Sequence, residues 1–249
     1  MIGPMTYNPY FYSVTQLHTS CEGYAPKSSI LTKATGFFYV HEARFYLITN
    51  RHVIIDEKNE RYPDSVRFYV HLNKEKPKDI KYLTKRIYDE ERAPLWLEHK
   101  SNVKGNIVDV ITIPIHDEII DYANSIEYWS EKNLPRDDAS YLDSFINLSF
   151  LGYPLGFYDE KNNLPVKRSG TPASVYGIPF DERPRFLLDV ISHPGASGSP
   201  VCLPIGELLD GDLVGILSGS HLKTGLAYVW YSFLIPEIIN DNNLGKILE

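Results

Sequence analysis

Hydrophobic positions along this chain gather in short runs, with Gly, Pro, Asn and Asp clusters between them. The runs FYSVTQLHT, ATGFFYV, RFYLITN, SVRFYVHL, DVITIPI, INLSFLGY, PASVYGI, RFLLDVIS, DLVGILSG and LAYVWYSF are rich in Val, Ile, Tyr, Phe and Thr. β-Branched and aromatic side chains suit a pleated, half-buried surface, and the clusters between them are turn formers. Helical patterns do not alternate with these strands. The pattern therefore predicts an all-β barrel or sandwich, not a parallel βαβ sheet.

Two segments depart from it. NRHVIID follows a strand and predicts one short helical turn. IPEIINDNNLGKILE opens with Pro236 and sets Ile238, Ile239, Leu244, Ile247 and Leu248 near helical spacing, which predicts a C-terminal helix. Residues 117 to 145 are polar with scattered apolar positions, and they separate two strand-rich halves as a connector would. The stretch NKEKPKDIKYLTKRIYDEERA carries both signs of charge and reads as a solvated loop and hairpin.

Composition narrows the class. At 249 residues and 43% hydrophobic, the chain can bury a real core as one large domain or two small ones. A net charge of -7 argues against nucleic acid or an anionic membrane as partner. Cys21 and Cys202 are the two cysteines, too few for a disulfide-stapled secreted framework, and this suggests a reducing compartment. The opening MIGPMTYNPYFYS lacks a basic region followed by an apolar one, and no apolar run reaches the roughly 18 residues of a membrane span. A cytoplasmic protein is expected.

The segment SHPGASGSPVC, residues 192 to 202, buries little apolar surface but lets the backbone turn tightly around a guest. Alone it is as consistent with a solvated turn. A nucleophilic serine needs an imidazole to take its proton, a carboxylate to hold the imidazole, and donors for the oxyanion. Of eight histidines, His18, His71 and His116 lie on or beside strands and His41, His99 and His221 near turns, as surface or satisfied core residues do. His52 ends the strand FYLITN and opens the apolar turn HVII. Asp109 interrupts the apolar run GNIVDVITIPI, where a buried carboxylate needs a partner, unless it faces water in a turn.

Taken together, Thr49-Asn50-Arg51-His52-Val53, Asp109-Val110-Ile111-Thr112-Ile113 and Gly195-Ala196-Ser197-Gly198-Ser199-Pro200 resemble the trypsin-like, chymotrypsin-fold serine peptidases. The likeness is nearest to the bacterial Deg/HtrA and glutamyl-endopeptidase types. These carry the base in T-N-x-H-V, the orienting acid in an apolar D-x-A-x-L-like strand, and the nucleophile in G-x-S-G-[GS]-P. Asp189, LGYPLG at 151 to 156, DLVGILSG and IPEII match further parts of that pattern, so the resemblance spans about residues 30 to 240.

The resemblance implies two antiparallel β-barrels with a C-terminal helix: residues 1–120 carrying His52 and Asp109, a connector at 121–145, and residues 146–249 carrying Ser197. It implies Ser197 as nucleophile, His52 as base, Asp109 as the orienting acid, and the N–H groups of Gly195 and Ser197 as the oxyanion hole. Ile191, Ser192, Leu217, Ser218 and Gly219 would line the substrate pocket. With no acid at Ile191 and no histidine on the strand holding Ile216, Leu217 and Ser218, small or medium apolar side chains are expected before the cut. Ala196 stands where propeptide-activated relatives carry an Asp, so activity would be constitutive or set by loop ordering or a regulatory partner. A chain ending soon after the barrels would lack the peptide-binding domain of Deg-type enzymes. The implied partner is a polypeptide substrate, and neither an organic cofactor nor a metal is expected, since H-x-x-x-H and C-x-x-C spacings are absent from the sequence. The rival expectation is an inactive module of the same fold that binds or regulates.

Overall fold

The computed structural model describes residues 8–21, 30–136, 142, 146–204, 212–221 and 223–248. The N-terminal strands are β1 (Val14–Ser20), β2 (Ile30–His41), β3 (Arg44–Thr49), β4 (Ser65–His71), β5 (Ile80–Arg86), β6 (Leu97–Glu98), β7 (Ile111–Pro114) and β8 (Trp129–Ser130). They form one sheet in the order β5-β4-β1-β2-β3-β7-β6, antiparallel throughout, with β8 added in parallel to β2. The C-terminal strands are β9 (Leu148–Gly152), β10 (Val166–Pro172), β11 (Arg185–Asp189), β12 (Pro200–Cys202), β13 (Leu213–His221) and β14 (Leu226–Tyr231). They close into an antiparallel barrel, β10-β11-β14-β13-β12-β9. The all-β expectation holds.

Among the described residues one barrel closes, and the N-terminal strands form a large open sheet. At one end of the N-terminal sheet, β6 has only two residues, and the C-terminal tail covers its outer edge. Glu98 N–H donates to Asn243 O at 3.0 Å and Gly245 N–H to Trp96 O at 2.9 Å. At the other end β5 alternates exposed and half-buried residues, with Lys81 and Lys85 along it, as edge strands do to resist further pairing. The two end strands, β5 and β6, do not pair with each other, so among the described residues the sheet is open.

Three apolar clusters organise the interior. One lies within the N-terminal sheet around Leu17, Leu47, Phe68, Trp96 and Ile113. A second fills the barrel with Phe150, Phe186, Val214 and Val229. The third joins the halves: Tyr69, Val108 and Val110 from the first pack with Tyr153, Trp230 and Leu234 from the second. Full burial of a large side chain in such a cluster is worth about 1.5–3 kcal/mol, so this seam holds the two sheets in register.

The short turn after β3 is α1 (Arg51–Ile54), as the sequence predicts. The connector contains α2 (His116–Ile119), a 3-10 turn and β8, and it is anchored by buried Ile119, Ile126 and Trp129. Its residues 137–141 and 143–145 lie outside the described residues. The run PASVYGI yields no strand of its own: β10 ends at Pro172. The C-terminal helix α3 (Leu234–Asp241) is shorter than its pattern suggests. Asn242 takes a left-handed conformation (φ 49) and donates to Ile238 O and Ile239 O, a polar C-cap that ends the helix. Leu244 and Ile247 are therefore exposed on the tail instead of buried on a helix face. Among the described residues no helix is long and apolar enough to cross a membrane.

Candidate active site

His52 is held at the first turn of α1, because β3 delivers Asn50 in extended conformation and the chain then coils. The Asn50 side chain donates to the Asp109 backbone carbonyl at 2.8 Å, tying this turn to the loop before β7. Asp109 lies two residues ahead of that strand, flanked by Val108 and Val110 in the seam. Its carboxylate grips His52 at two points. Oδ1 accepts the His52 backbone N–H at 2.9 Å, and Oδ2 accepts Nδ1–H at 2.7 Å. Ser218, from β13 in the barrel, donates its hydroxyl to the same Oδ2 at 2.7 Å.

A carboxylate only accepts hydrogen bonds, so Nδ1 carries the imidazole proton and Nε2 is left as a base. Burial pulls the His52 pKa down, but the Asp109 charge and hydrogen bond, with Asp56 further off, outweigh it and leave the value raised. For Asp109, burial favours the neutral acid. The charge of His52 and the donors on His52 and Ser218 prevail, and the carboxyl lies below its ordinary value. Each group thus favours the ionised form of the other.

The segment between β11 and β12 folds into two tight turns. Ala196 N–H donates to His193 O at 3.0 Å, and Ser199 N–H donates to Ala196 O at 3.1 Å. Gly195 (φ 93) and Gly198 (φ 87) take conformations that side chains disfavour, and a Cβ at either would collide with backbone: Tyr153 O at the first, Thr35 O at the second. Every carbonyl of the loop from 194 to 197 is already engaged. Pro194 O accepts Leu155 N–H at 2.6 Å, Gly195 O the Thr35 hydroxyl at 2.7 Å, Ala196 O the Ser199 hydroxyl at 2.7 Å, and Ser197 O the Thr35 N–H at 2.9 Å. Among the described residues, the N–H groups of Gly195 and Ser197 have no partner. Two adjacent backbone donors therefore remain for a guest.

Ser197 and His52 line one cavity of about 400 Å³, together with Ser192, His193, Gly195, Ser218 and Gly219. Ser199 does not reach it: the residue is fully buried, with its hydroxyl on Ala196 O. Ala196 is also fully buried, in the barrel core.

No protein-family model matches the chain, and no curated protein matches it.

Two of the expected pocket residues fall elsewhere. Ile191 is 57% exposed, leaning toward the β13–β14 hairpin at Gly225, and does not line the cavity. Leu217 is fully buried in the barrel core, since strand alternation turns it away from the face that presents Ser218. Ser218 has a part the sequence left unsaid, the hydrogen bond to Asp109. Thr35 and Leu155, which fix the loop carbonyls, were invisible in the sequence because both contacts join residues far apart in the chain.

Behind His52, the neighbouring Arg51 is buried and saturated. Its guanidinium donates to Glu98 at 2.8 Å, to both oxygens of Glu57, and to Lys246 O at 2.7 Å. This network pins the His52 turn to β6 and to the C-terminal tail. Several other histidines are satisfied structurally. His71 donates to Asn162 O at 2.9 Å, His41 hydrogen-bonds Asn240 at 2.9 Å, and His99 meets Glu237 at 3.1 Å.

Proposed function

We propose that this protein is a serine endopeptidase of trypsin-like type, hydrolysing peptide bonds through an acyl-enzyme. The observation that carries this reading is the two-point grip of Asp109 on His52, which leaves Nε2 unprotonated in the cavity that Ser197 lines. Ser197 Oγ attacks the scissile carbonyl carbon while its proton passes to His52 Nε2, and Asp109 stabilises the imidazolium. The N–H groups of Gly195 and Ser197 receive the oxyanion. The C–N bond then breaks, and His52 returns the proton to the leaving amine. A water, deprotonated by His52, hydrolyses the ester and restores Ser197.

The open N-terminal sheet, carrying His52 and Asp109, takes the place of the first barrel, and the closed barrel carrying Ser197 is the second. The unpaired Cys21 and Cys202 support a reducing, intracellular setting. Cys202 is buried in β12, which pushes its thiol up to about 12 and makes it inert. Ala196, buried in the core, offers no carboxylate to a new amino terminus, which supports activity that is constitutive or set by loop ordering or a regulatory partner.

A second reading, a binding or regulatory module without turnover, draws on one observation. Among the described residues the Ser197 hydroxyl makes no hydrogen bond, to His52 or to any other group. Ser–His contacts of free enzymes are often long and tighten only around substrate. Reaction with a fluorophosphonate probe separates the two. Stoichiometric labelling of Ser197 is expected, and a folded protein that stays unlabelled would establish the inactive module.

A further inference from the structure

A second cavity, of about 310 Å³, shares His52 and Ser218 with the first but contains none of the nucleophile loop. Its walls carry carboxylates and guanidinium groups in comparable number, and what matters is which of them are spoken for. Asp109 is held by His52 and Ser218. Asp56 accepts from Asn59 and Arg61, and Glu57 accepts from Arg51 and from Leu248 N–H. Arg51 is saturated in turn by Glu57 and Glu98.

Of the two remaining cations, one has no carboxylate partner among the described residues and the other has an exposed one. Arg183 donates to a backbone carbonyl, Gly105 O, at 3.2 Å, and among the described residues no carboxylate pairs with it. Arg185 lies over the Tyr228 ring at 3.9 Å, and its one acidic neighbour is Asp181 at 3.4 Å, whose side chain is 63% exposed. Burial first, and the nearby Arg183 charge as well, disfavour the charged form of Arg185. Arg183 therefore presents a positive charge with no carboxylate fixed on it, and Arg185 stands beside it, next to the reacting groups.

We propose that Arg183 and Arg185 form a subsite for an acidic side chain of the polypeptide substrate, at a position other than the one directly before the cut. The inference rests on the peptidase reading and assigns it a substrate class, Asp- or Glu-bearing peptides. A planar carboxylate matches the guanidinium fork, and it would supply the counter-charge that the walls withhold.

A synthetic peptide mixture with every residue type represented at each position is digested, and the cut sites are read by mass spectrometry. The expected result is an enrichment of Asp and Glu of about two- to fivefold at one position, the scale of a partly exposed charge pair. Arg183→Gln should erase that enrichment, and Arg183→Glu should turn it toward Lys and Arg, a switch that only a folded enzyme can display. Cutting without acidic preference, or a preference that survives in Arg183→Gln, overturns this inference alone. A wild-type protein that neither cuts nor reacts with the fluorophosphonate overturns the peptidase reading and this inference with it.

Discussion

Thr35 donates its hydroxyl to the carbonyl oxygen of Gly195 at 2.7 Å, joining the N-terminal sheet to the nucleophile loop across 160 positions of sequence. The Thr35 hydroxyl oxygen in turn accepts Tyr153 N–H at 3.1 Å, and the Thr35 backbone N–H donates to Ser197 O at 2.9 Å. One residue of β2 thus sets the peptide planes on which the two free loop donors depend.

Thr35→Val keeps the shape and deletes the hydroxyl, leaving Gly195 O and Tyr153 N–H buried without partners. A stability loss of about 1–3 kcal/mol is expected in urea denaturation. Displacing an oxyanion donor should also lower kcat/KM, by up to about 10²-fold. A variant as stable and as reactive as wild type would show that the loop holds its own shape.

Asp109→Asn replaces the acceptor of Nδ1–H by a group that favours the wrong tautomer. The fold should survive, since Asn50 still reaches the backbone carbonyl, while kcat falls by about 10⁴. A folded, nearly active Asp109→Asn protein would move the orienting role to another acid.

The pH profile follows from His52. The sequence places opposing influences on this imidazole and an acidic limb near its ordinary value, about 6.5. The structure resolves the contest in favour of Asp109, so the limb of kcat/KM should lie above that value. The sign for stability is opposite. A raised folded pKa contributes stability fully below the unfolded value, and that contribution is lost as pH rises through the folded one. The His52–Asp109 pair should therefore stabilise least where the enzyme is most active. A limb at or below 6.5 would contradict the grip seen here.

Ser197→Ala should abolish fluorophosphonate labelling, while Ser199→Ala should retain it. The second variant still loses a buried hydrogen bond to Ala196 O, and about 1 kcal/mol of stability should go with it. Labelling that persists in Ser197→Ala would identify a different nucleophile.

Arg51→Met removes the one cation that, among the described residues, pairs with Glu98, a fully buried carboxylate. An uncompensated buried charge should cost about 3–5 kcal/mol in urea unfolding. A loss under 1 kcal/mol would mean that the Arg51–Glu98 pair does not hold this turn in place.

The sequence by itself determined whatever depends on local pattern. Runs of β-branched and aromatic residues set the strands, Pro and Gly clusters set the turns, and the glycines at 195 and 198 marked a backbone that passes through left-handed conformations. It also supplied His52, Asp109 and Ser197 as candidates, since their residue types and order are readable without coordinates. Local pattern misled where a cap or a distant strand intervened. Leu244 and Ile247 keep helical spacing, yet Asn242 ends the helix and the tail goes to the edge of β6. Tertiary structure alone decided that this edge is covered and the sheet left open, that Leu217 faces the core while Ser218 reaches Asp109, and that Thr35 governs Gly195. Each of these is a contact between residues tens to hundreds of positions apart. A hydroxyl or a carbonyl announces in the sequence that it needs a partner, but only packing brings one within 3 Å.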